Sequence, residues 1–224
     1  MGKLYLVPTP IGNLKDITLR AIDVLRQVDL ILAEDTRKTK KLLNHYEINT
    51  KTKSYHIYNE HQVLKEIVNL LISDNKVALV TDSGFPCMSD PGFLLVREVI
   101  CKGIDLESLP GSSSIIPALT QSGFPTTNFI FEGFLPKKKG RKKKILELSK
   151  ETRTVVLFES PYRILKLLNE IKEFYGTEKK ISISRELSKL YEETIRGTVK
   201  ECLSHFEKKA PKGEFVICIK GSKK

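Results

Sequence analysis

The sequence has little with which to hold a metal or staple a fold. Its four cysteines, Cys87, Cys101, Cys202 and Cys218, lie far apart and form no C-x-x-C pair. That argues against a zinc site and a disulfide framework, and it fits a reducing cytoplasm. With only four histidines, metal-dependent hydrolysis has little to build on, and no metal is expected. No apolar run approaches the roughly 18 residues that would span a bilayer, and MGKLYLVPTP lacks a basic stretch followed by an apolar one. Neither export nor membrane insertion is expected. Also missing are G-x-G-x-x-G, G-x-x-x-x-G-K-[ST] and G-x-S-x-G, the signatures of dinucleotide-binding Rossmann enzymes, P-loop NTPases and serine hydrolases with a nucleophile elbow.

What the chain does have is the composition of a folded protein. Hydrophobic residues make up 40% and charged residues 29% of its 224 positions, unlike disordered or fibrous chains. That length holds one large domain or two small ones, and either buries a sizeable core. Lys and Arg number 38 against 27 Asp and Glu, a net charge of +11. A polyanionic partner and a solvated basic surface account equally for the total, so clustering has to decide between them.

Along the first half, short apolar runs alternate with helical patterns. Leu4-Tyr5-Leu6-Val7 reads as a buried strand stopped by Pro8-Thr9-Pro10-Ile11-Gly12-Asn13. Asp16 is placed to cap the next helix, in which Ala21, Ile22, Leu25 and Val28 recur at helical spacing. Further buried strands are predicted over 30–33 and 77–80, and an extended segment over 106–109. Helices are predicted over 38–44, through Val63, Ile67, Leu70 and Leu71, and over 93–102. Such alternation implies a largely parallel, Rossmann-like sheet with helices on both faces and a ligand beyond the carboxyl ends of the strands. The Pro/Gly loops 8–13, 82–92 and 110–114 should then converge on one crevice. From Phe129 the pattern changes to strands over 129–135, 155–158, 181–184, 193–196 and 215–219, with helices over 163–174 and 199–206. A second, mixed α/β domain is expected, the boundary lying between Ala118 and Asn128, so that the domains are 1–118 and 119–224.

Two loops stand out as ligand sites. Residues 82–92 crowd two acidic residues, two glycines, two prolines and two serines directly after a strand. Glycine permits close backbone approach, proline fixes the loop, and a carboxylate accepts from a ribose or an amino group; the competing reading is a long structural turn. Pro110-Gly111-Ser112-Ser113-Ser114 puts backbone N–H groups and hydroxyls at a helix start, where Ser112 serves equally as a cap or a ligand contact. Glu34, Asp35 and Arg37 sit at the end of the second strand, facing any such crevice, although Asp35 or Thr36 can also simply cap a helix.

Charge is densest at Lys137, Lys138, Lys139, Arg141, Lys142, Lys143 and Lys144, where only Gly140 interrupts the run. Like charges at that density repel, so the segment is expected to be an exposed, mobile loop or a helix end that contacts phosphates.

Four stretches carry a family resemblance: Val7-Pro8-Thr9-Pro10-Ile11-Gly12-Asn13-Leu14, Ala33-Glu34-Asp35-Thr36-Arg37, Asp82-Ser83-Gly84 with Asp90-Pro91-Gly92, and Glu132-Gly133-Phe134-Leu135-Pro136. In order and spacing, from Leu4 to Gly221, the chain resembles the bacterial 16S rRNA 2′-O-ribose cytidine methyltransferases. These are the small-subunit methyltransferase I group of the tetrapyrrole-methylase-like superfamily. The resemblance implies an N-terminal Rossmann-like domain, a C-terminal mixed α/β domain, S-adenosylmethionine bound between them, and a homodimer. It implies that the cofactor is held mostly by backbone and small side chains of the strand-end loops. Here those are Pro8, Thr9, Pro10, Ile11 and Gly12, then Asp82, Ser83, Gly84, Ser89 and Asp90, with Ser112 and Ser113 as neighbours. One departure stands out: relatives commonly have Asp-Ala-Gly and then Thr-Pro where this chain has Asp82-Ser83-Gly84-Phe85-Pro86. The implied activity is methylation of a cytidine ribose in the decoding region of 16S rRNA within the 30S subunit.

Methyl transfer to a ribose hydroxyl needs the acceptor oxygen held in line with the methyl, and gains from a carboxylate or a cation near that oxygen. Glu34, Asp35 and Arg37 are expected to supply these groups, with His56, Asn59, Glu60, Glu159, Arg163 and Glu186 as second choices. The rival readings are a small-molecule, tetrapyrrole-type methylase and a non-catalytic RNA-binding assembly factor. The basic run argues against the first and the intact crevice against the second.

Overall fold

A strand that is apolar on both sides has to be covered on both faces, and that requirement builds the first half of the molecule. The computed structural model describes residues 2–208 and 210–222, which fall into two compact units, Met1–Ser113 and Ser114–Lys224. The division lies a few residues ahead of Ala118. In the first unit, strands β1 (Lys3–Leu6), β2 (Leu30–Ala33), β3 (Thr52–Ser54), β4 (Lys76–Val80) and β5 (Asp105–Ser108) form one all-parallel sheet in the order β3-β2-β4-β1-β5. Alternate side chains leave to opposite faces. Ile31, Ala33, Ala78 and Val80 join Ala21, Ile22 and Leu25 of α1 (Leu19–Gln27) and Leu42 and Leu43 of α2 (Thr36–His45). Leu32, Val77 and Leu79 join Ile67 and Leu71 of α3 (Glu60–Ile72) and Leu95 and Val99 of α4 (Phe93–Cys101).

Because every strand of this sheet points the same way, the loops after β1, β2, β4 and β5 all emerge at one edge. Two sequence expectations change here. Asp16 does not cap α1; it closes a short 3-10 turn, Leu14–Asp16, and the Thr18 hydroxyl accepts from the Ala21 N–H at 3.1 Å instead. Strand β3 escapes a pattern reading because Thr52-Lys53-Ser54 has no apolar run. It is an edge strand, where polar and charged residues are usual.

The second unit opens with α5 (Ile115–Gln121) and holds a mixed sheet in the order β6-β7-β10-β8-β9. Its strands are β6 (Phe129–Phe134), β7 (Thr154–Glu159), β8 (Lys180–Arg185), β9 (Glu193–Thr198) and β10 (Phe215–Ile219). Strands β6 and β7 run parallel, and every other pairing is antiparallel. Helices α6 (Arg141–Ser149), α7 (Ile164–Tyr175) and α8 (Val199–Lys208) pack on one face through Ile145, Leu148, Leu167, Leu168, Ile171, Cys202 and Phe206. The molecule therefore has the expected α/β class, a parallel Rossmann-like sheet followed by a mixed one. Helix α6 is hidden in the sequence because the basic residues at its start, Arg141 to Lys144, mask the apolar spacing of Ile145 and Leu148. Among the described residues, no helix is long and apolar enough to cross a membrane.

Candidate functional site

At the carboxyl edge of the parallel sheet, backbone contacts pull three loops together. Thr9, past β1, and Gly84, past β4, exchange both backbone hydrogen bonds at 2.9 and 3.0 Å, and the Thr9 hydroxyl donates to the Thr81 carbonyl at 3.0 Å. The loop after β5 closes on the same place. A Cβ on Gly111 would lie 2.8 Å from Pro8 Cβ, so only glycine permits that approach. A Cβ on Gly84 would lie 3.5 Å from the Ile11 side chain and 3.8 Å from the Ser112 carbonyl, which places Ile11, Gly84 and Ser112 around one point. The Ser112 hydroxyl donates to the Asp16 carbonyl at 2.8 Å, so it neither caps α5 nor faces a ligand in this arrangement. It braces the loop after β5 against the 3-10 turn. Pro10 and Ile11 are half-buried, Gly12, Ser83 and Ser89 are exposed, and Ser113 is half-buried at the end of the unit.

Acidic groups line the same edge. The buried Thr81 hydroxyl donates to Glu34 Oε2 at 3.0 Å, and Asp82 accepts from the Asp35 backbone N–H at 3.1 Å and from Lys38 Nζ at 2.7 Å. Asp90, from the far end of the loop, sits among them. Burial pushes its carboxyl up to about 6, the charges of Glu34 and Asp82 push the same way, and a hydrogen bond with Thr81 opposes them. Strand-end position made Glu34, Asp82 and Asp90 legible as candidates, but Thr81 and Lys38 carried no motif that singled them out.

Asp35 and Arg37 take a different arrangement. Asp35 is the N-cap of α2, its Oδ1 accepting from the Arg37 N–H at 2.9 Å. The Arg37 guanidinium then clasps the same carboxylate through Nε at 3.1 Å and Nη2 at 2.9 Å. The clasp and the cap hold the Asp35 carboxyl down at about 2. Arg37 nevertheless stays 88% exposed, presenting a cation at the rim. Of the second choices in this unit, Asn59 accepts from the His56 N–H at 2.7 Å and donates to the Ser54 carbonyl at 3.1 Å, and Glu60 accepts from the buried Tyr55 hydroxyl at 3.4 Å. They hold the turn into α3.

In the second unit the basic run divides. Lys137, Lys138, Lys139, Lys142 and Lys143 are exposed, Lys142 lying 3.8 Å from Glu173 and Lys144 3.1 Å from Glu132. Lys137, Lys138, Lys139 and Lys143 make no ion pair among the described residues. Arg141 corrects the expectation of a uniformly exposed segment. Only 2% exposed, it donates from Nε to Glu170 at 2.8 Å and from Nη2 to Glu159 at 3.3 Å. A guanidinium held inside by two carboxylates cannot reach a phosphate. Glu159 also accepts from Arg163 at 2.8 Å, and Glu186 pairs with Lys189 at 2.9 Å, so these second choices serve the packing of their own unit.

A parallel sheet gathering glycine-bearing loops and carboxylates at one edge, followed by a mixed α/β unit, is a layout found in one family of methylases. The family model of the tetrapyrrole (corrin/porphyrin) methylases matches residues 3–203, and the chain belongs to that family and, within it, to the ribosomal RNA small subunit methyltransferase I group. Proteins named ribosomal RNA small subunit methyltransferase I are similar over nearly the whole chain. The one from Thermotoga maritima is 50% identical over 99% of both chains, and the one from Bacillus subtilis is 45% identical over 99% of this chain and 76% of its own length. Among solved structures, the cobalamin biosynthetic enzyme cobalt precorrin-4 methyltransferase aligns with a TM-score of 0.71 at 20% identity, covering 97% of this chain and 94% of that one. Uroporphyrin-III-C-methyltransferase from Thermus thermophilus aligns at 0.65 and 19%, with the same coverage. At such identities these two structures speak for the fold alone.

Proposed function

We propose that the chain is an S-adenosylmethionine-dependent methyltransferase acting on ribosomal RNA of the small subunit, and that its acceptor is the ribose 2′-hydroxyl of a cytidine in the decoding region. We place it in the cytoplasm, as a homodimer, with the 30S subunit as substrate. The observation that carries this reading is the Glu34–Thr81–Asp90–Asp82 group at the meeting point of the strand-end loops. The names of the full-length relatives supply the polymer.

The residues fit the cofactor. Gly84, with no side chain of its own, brings its backbone close to Ile11 and Ser112, the close backbone approach that a strand-end loop uses to hold a nucleoside. The carboxylates of Asp82 and Asp90 suit ribose hydroxyls and a positively charged amino-acid tail. When bound, S-adenosylmethionine supplies an electrophilic methyl group. Pro8, Thr9, Pro10, Ile11, Gly12, Asp82, Ser83, Gly84, Ser89, Asp90, Ser112 and Ser113 form the proposed binding loops. Glu34, Asp35 and Arg37 are assigned to the acceptor side. Asp35, ionised at any working pH, fixes Arg37, whose guanidinium is placed to offset negative charge developing on a ribose oxygen. Lys137, Lys138, Lys139, Lys142, Lys143 and Lys144 supply phosphate contacts.

Mass mapping of 2′-O-methyl groups on 16S rRNA, with and without the gene, tests the reading. One mark should disappear from the deletion strain and return when its 30S subunits are incubated with the purified chain and S-adenosylmethionine. Identical maps would reject it.

A further inference from the structure

In a regular strand, residues three apart face opposite sides, yet Phe131 and Phe134 of β6 both lie against Phe158 of β7, with ring centroids 5.0 and 5.5 Å away. A bulge between Phe131 and Gly133 makes this possible: one extra residue restores the face, and Gly133 takes φ +69° there. The outcome costs burial, because Phe134 ends 52% exposed. Beside it, the loop from β7 into α7 leaves Tyr162 95% exposed and sets the Arg163 guanidinium 6.0 Å from the Phe134 ring centre.

That guanidinium is fixed from below. Nη2 donates to Glu159 at 2.8 Å and Nε to the Ser160 hydroxyl at 3.2 Å, while Glu159 is itself held by buried Arg141. Nη1 is buried without a hydrogen-bond partner among the described residues, and the Arg163 side chain as a whole is 23% exposed, so it is the partly exposed plane of the guanidinium beside Phe134 that is offered outward. Strands β6 and β7 are parallel, so both ring-bearing ends share one edge, and the exposed Lys137, Lys138 and Lys139 follow within a few residues. Aromatic faces, an oriented guanidinium and adjacent lysines are the elements that bind unpaired nucleotides: rings and guanidinium planes stack on bases and lysines neutralise phosphates. A protein partner fits less well, since lysine is depleted where protein interfaces bury their core.

We propose that Phe134, Tyr162 and Arg163 form a stacking platform for an unpaired RNA base, with Lys137, Lys138 and Lys139 taking the flanking phosphates. The platform rests on the RNA-methylation reading for its polymer, and it adds that the RNA is engaged as a splayed single strand.

The probe is a single-stranded RNA octamer carrying 2-aminopurine, titrated with the full chain, alongside the same sequence as a duplex. Wild type should quench the fluorophore and prefer the single strand. Tyr162→Ala should lose on the order of ten-fold in single-strand affinity, the size of one base stack, with its salt slope and its duplex binding unchanged. Tyr162→Phe, which keeps the ring, should bind like wild type. Replacing Lys137, Lys138 and Lys139 with glutamine should instead weaken both forms and flatten the salt slope. Absent quenching in wild type, an equal loss of single strand and duplex in Tyr162→Ala, or a change in oligomeric state without loss of RNA affinity would each overturn the platform. The methylation map separates the two readings: a chain that methylates 16S rRNA while Tyr162→Ala binds normally keeps its activity and loses only the platform.

Discussion

The backbone N–H of Asp35 donates to Oδ1 of Asp82 at 3.1 Å, so a carboxylate from the loop after β4 fixes the residue that starts α2. The other oxygen of Asp82 holds Lys38, one turn into that helix, at 2.7 Å. Groups assigned to the cofactor and groups assigned to the acceptor are thereby tied through one side chain.

Asp82→Ala should weaken S-adenosylmethionine binding by about ten-fold or more, since hydrogen bonds to a charged acceptor typically contribute about 1.5–3 kcal/mol each. Asp82→Asn keeps an acceptor for the Asp35 N–H and should lose less. Calorimetric titration of both variants decides the point, and equal, wild-type affinities would mean that the cofactor sits elsewhere.

Arg37→Ala should lower single-turnover methylation while leaving cofactor affinity and melting temperature nearly as they are, because the guanidinium is exposed and only clasps Asp35. Asp35→Ala removes the N-cap as well and should also lower the melting temperature by a few degrees, whereas Asp35→Asn retains the cap. Glu34→Ala should behave like Arg37→Ala in turnover. Unchanged rates in all of these variants would take the residues out of the chemistry.

Asp90 makes stability depend on pH. Its carboxyl titrates near 6 in the folded chain against an ordinary 3.8. Between those values the native state keeps a proton that the unfolded chain has released, and stability falls as pH rises through the window. Asp90→Asn removes that loss. The variant should melt with the parent near pH 4 and above it from about pH 6.5 upward, while binding S-adenosylmethionine less well. A melting difference that stays constant from pH 4 to 7.5 would contradict the assignment.

Much of this was readable in the amino acids. Runs such as Val77-Ala78-Leu79-Val80 leave no doubt that both faces of a strand are covered, and loops rich in Pro and Gly directly after such runs mark the functional edge of a parallel sheet. What pattern reading misses is set by tertiary partners. The cap of α1 passes from Asp16 to Thr18 because a 3-10 turn intervenes, Thr81 gains its place from Glu34 across the sheet, and the interior position of Arg141 depends on Glu170, twenty-nine positions further on. The Thr18 cap lies only three residues from its partner, but the pairings of Thr81 with Glu34 and of Arg141 with Glu170 have no local signature.

Arg141→Ala should destabilise the second unit by about 3–5 kcal/mol, because it strands the buried Glu159 and Glu170 without their cation. Glutamine at Lys137, Lys138, Lys139, Lys142 and Lys143 together should leave melting unchanged within about a degree. The same change should make the salt slope of RNA binding shallower by about 0.7–0.9 for each phosphate that is no longer neutralised. Thermal melts and a salt series on 30S subunits would report both, and the reverse pattern would return Arg141 to the surface.

The eight-residue basic stretch is therefore governed at two different addresses. On the proposed reading Lys137, Lys138, Lys139 and Lys143, which make no ion pair among the described residues, answer to a polyanion outside, and their number can drift one substitution at a time, resetting the ionic strength at which the chain lets go of it. Arg141 answers to two carboxylates in the interior and has no such latitude. Grip and heat tolerance can thus be adjusted separately by neighbours in the chain, and an adaptation to saltier or hotter surroundings can alter one without disturbing the other.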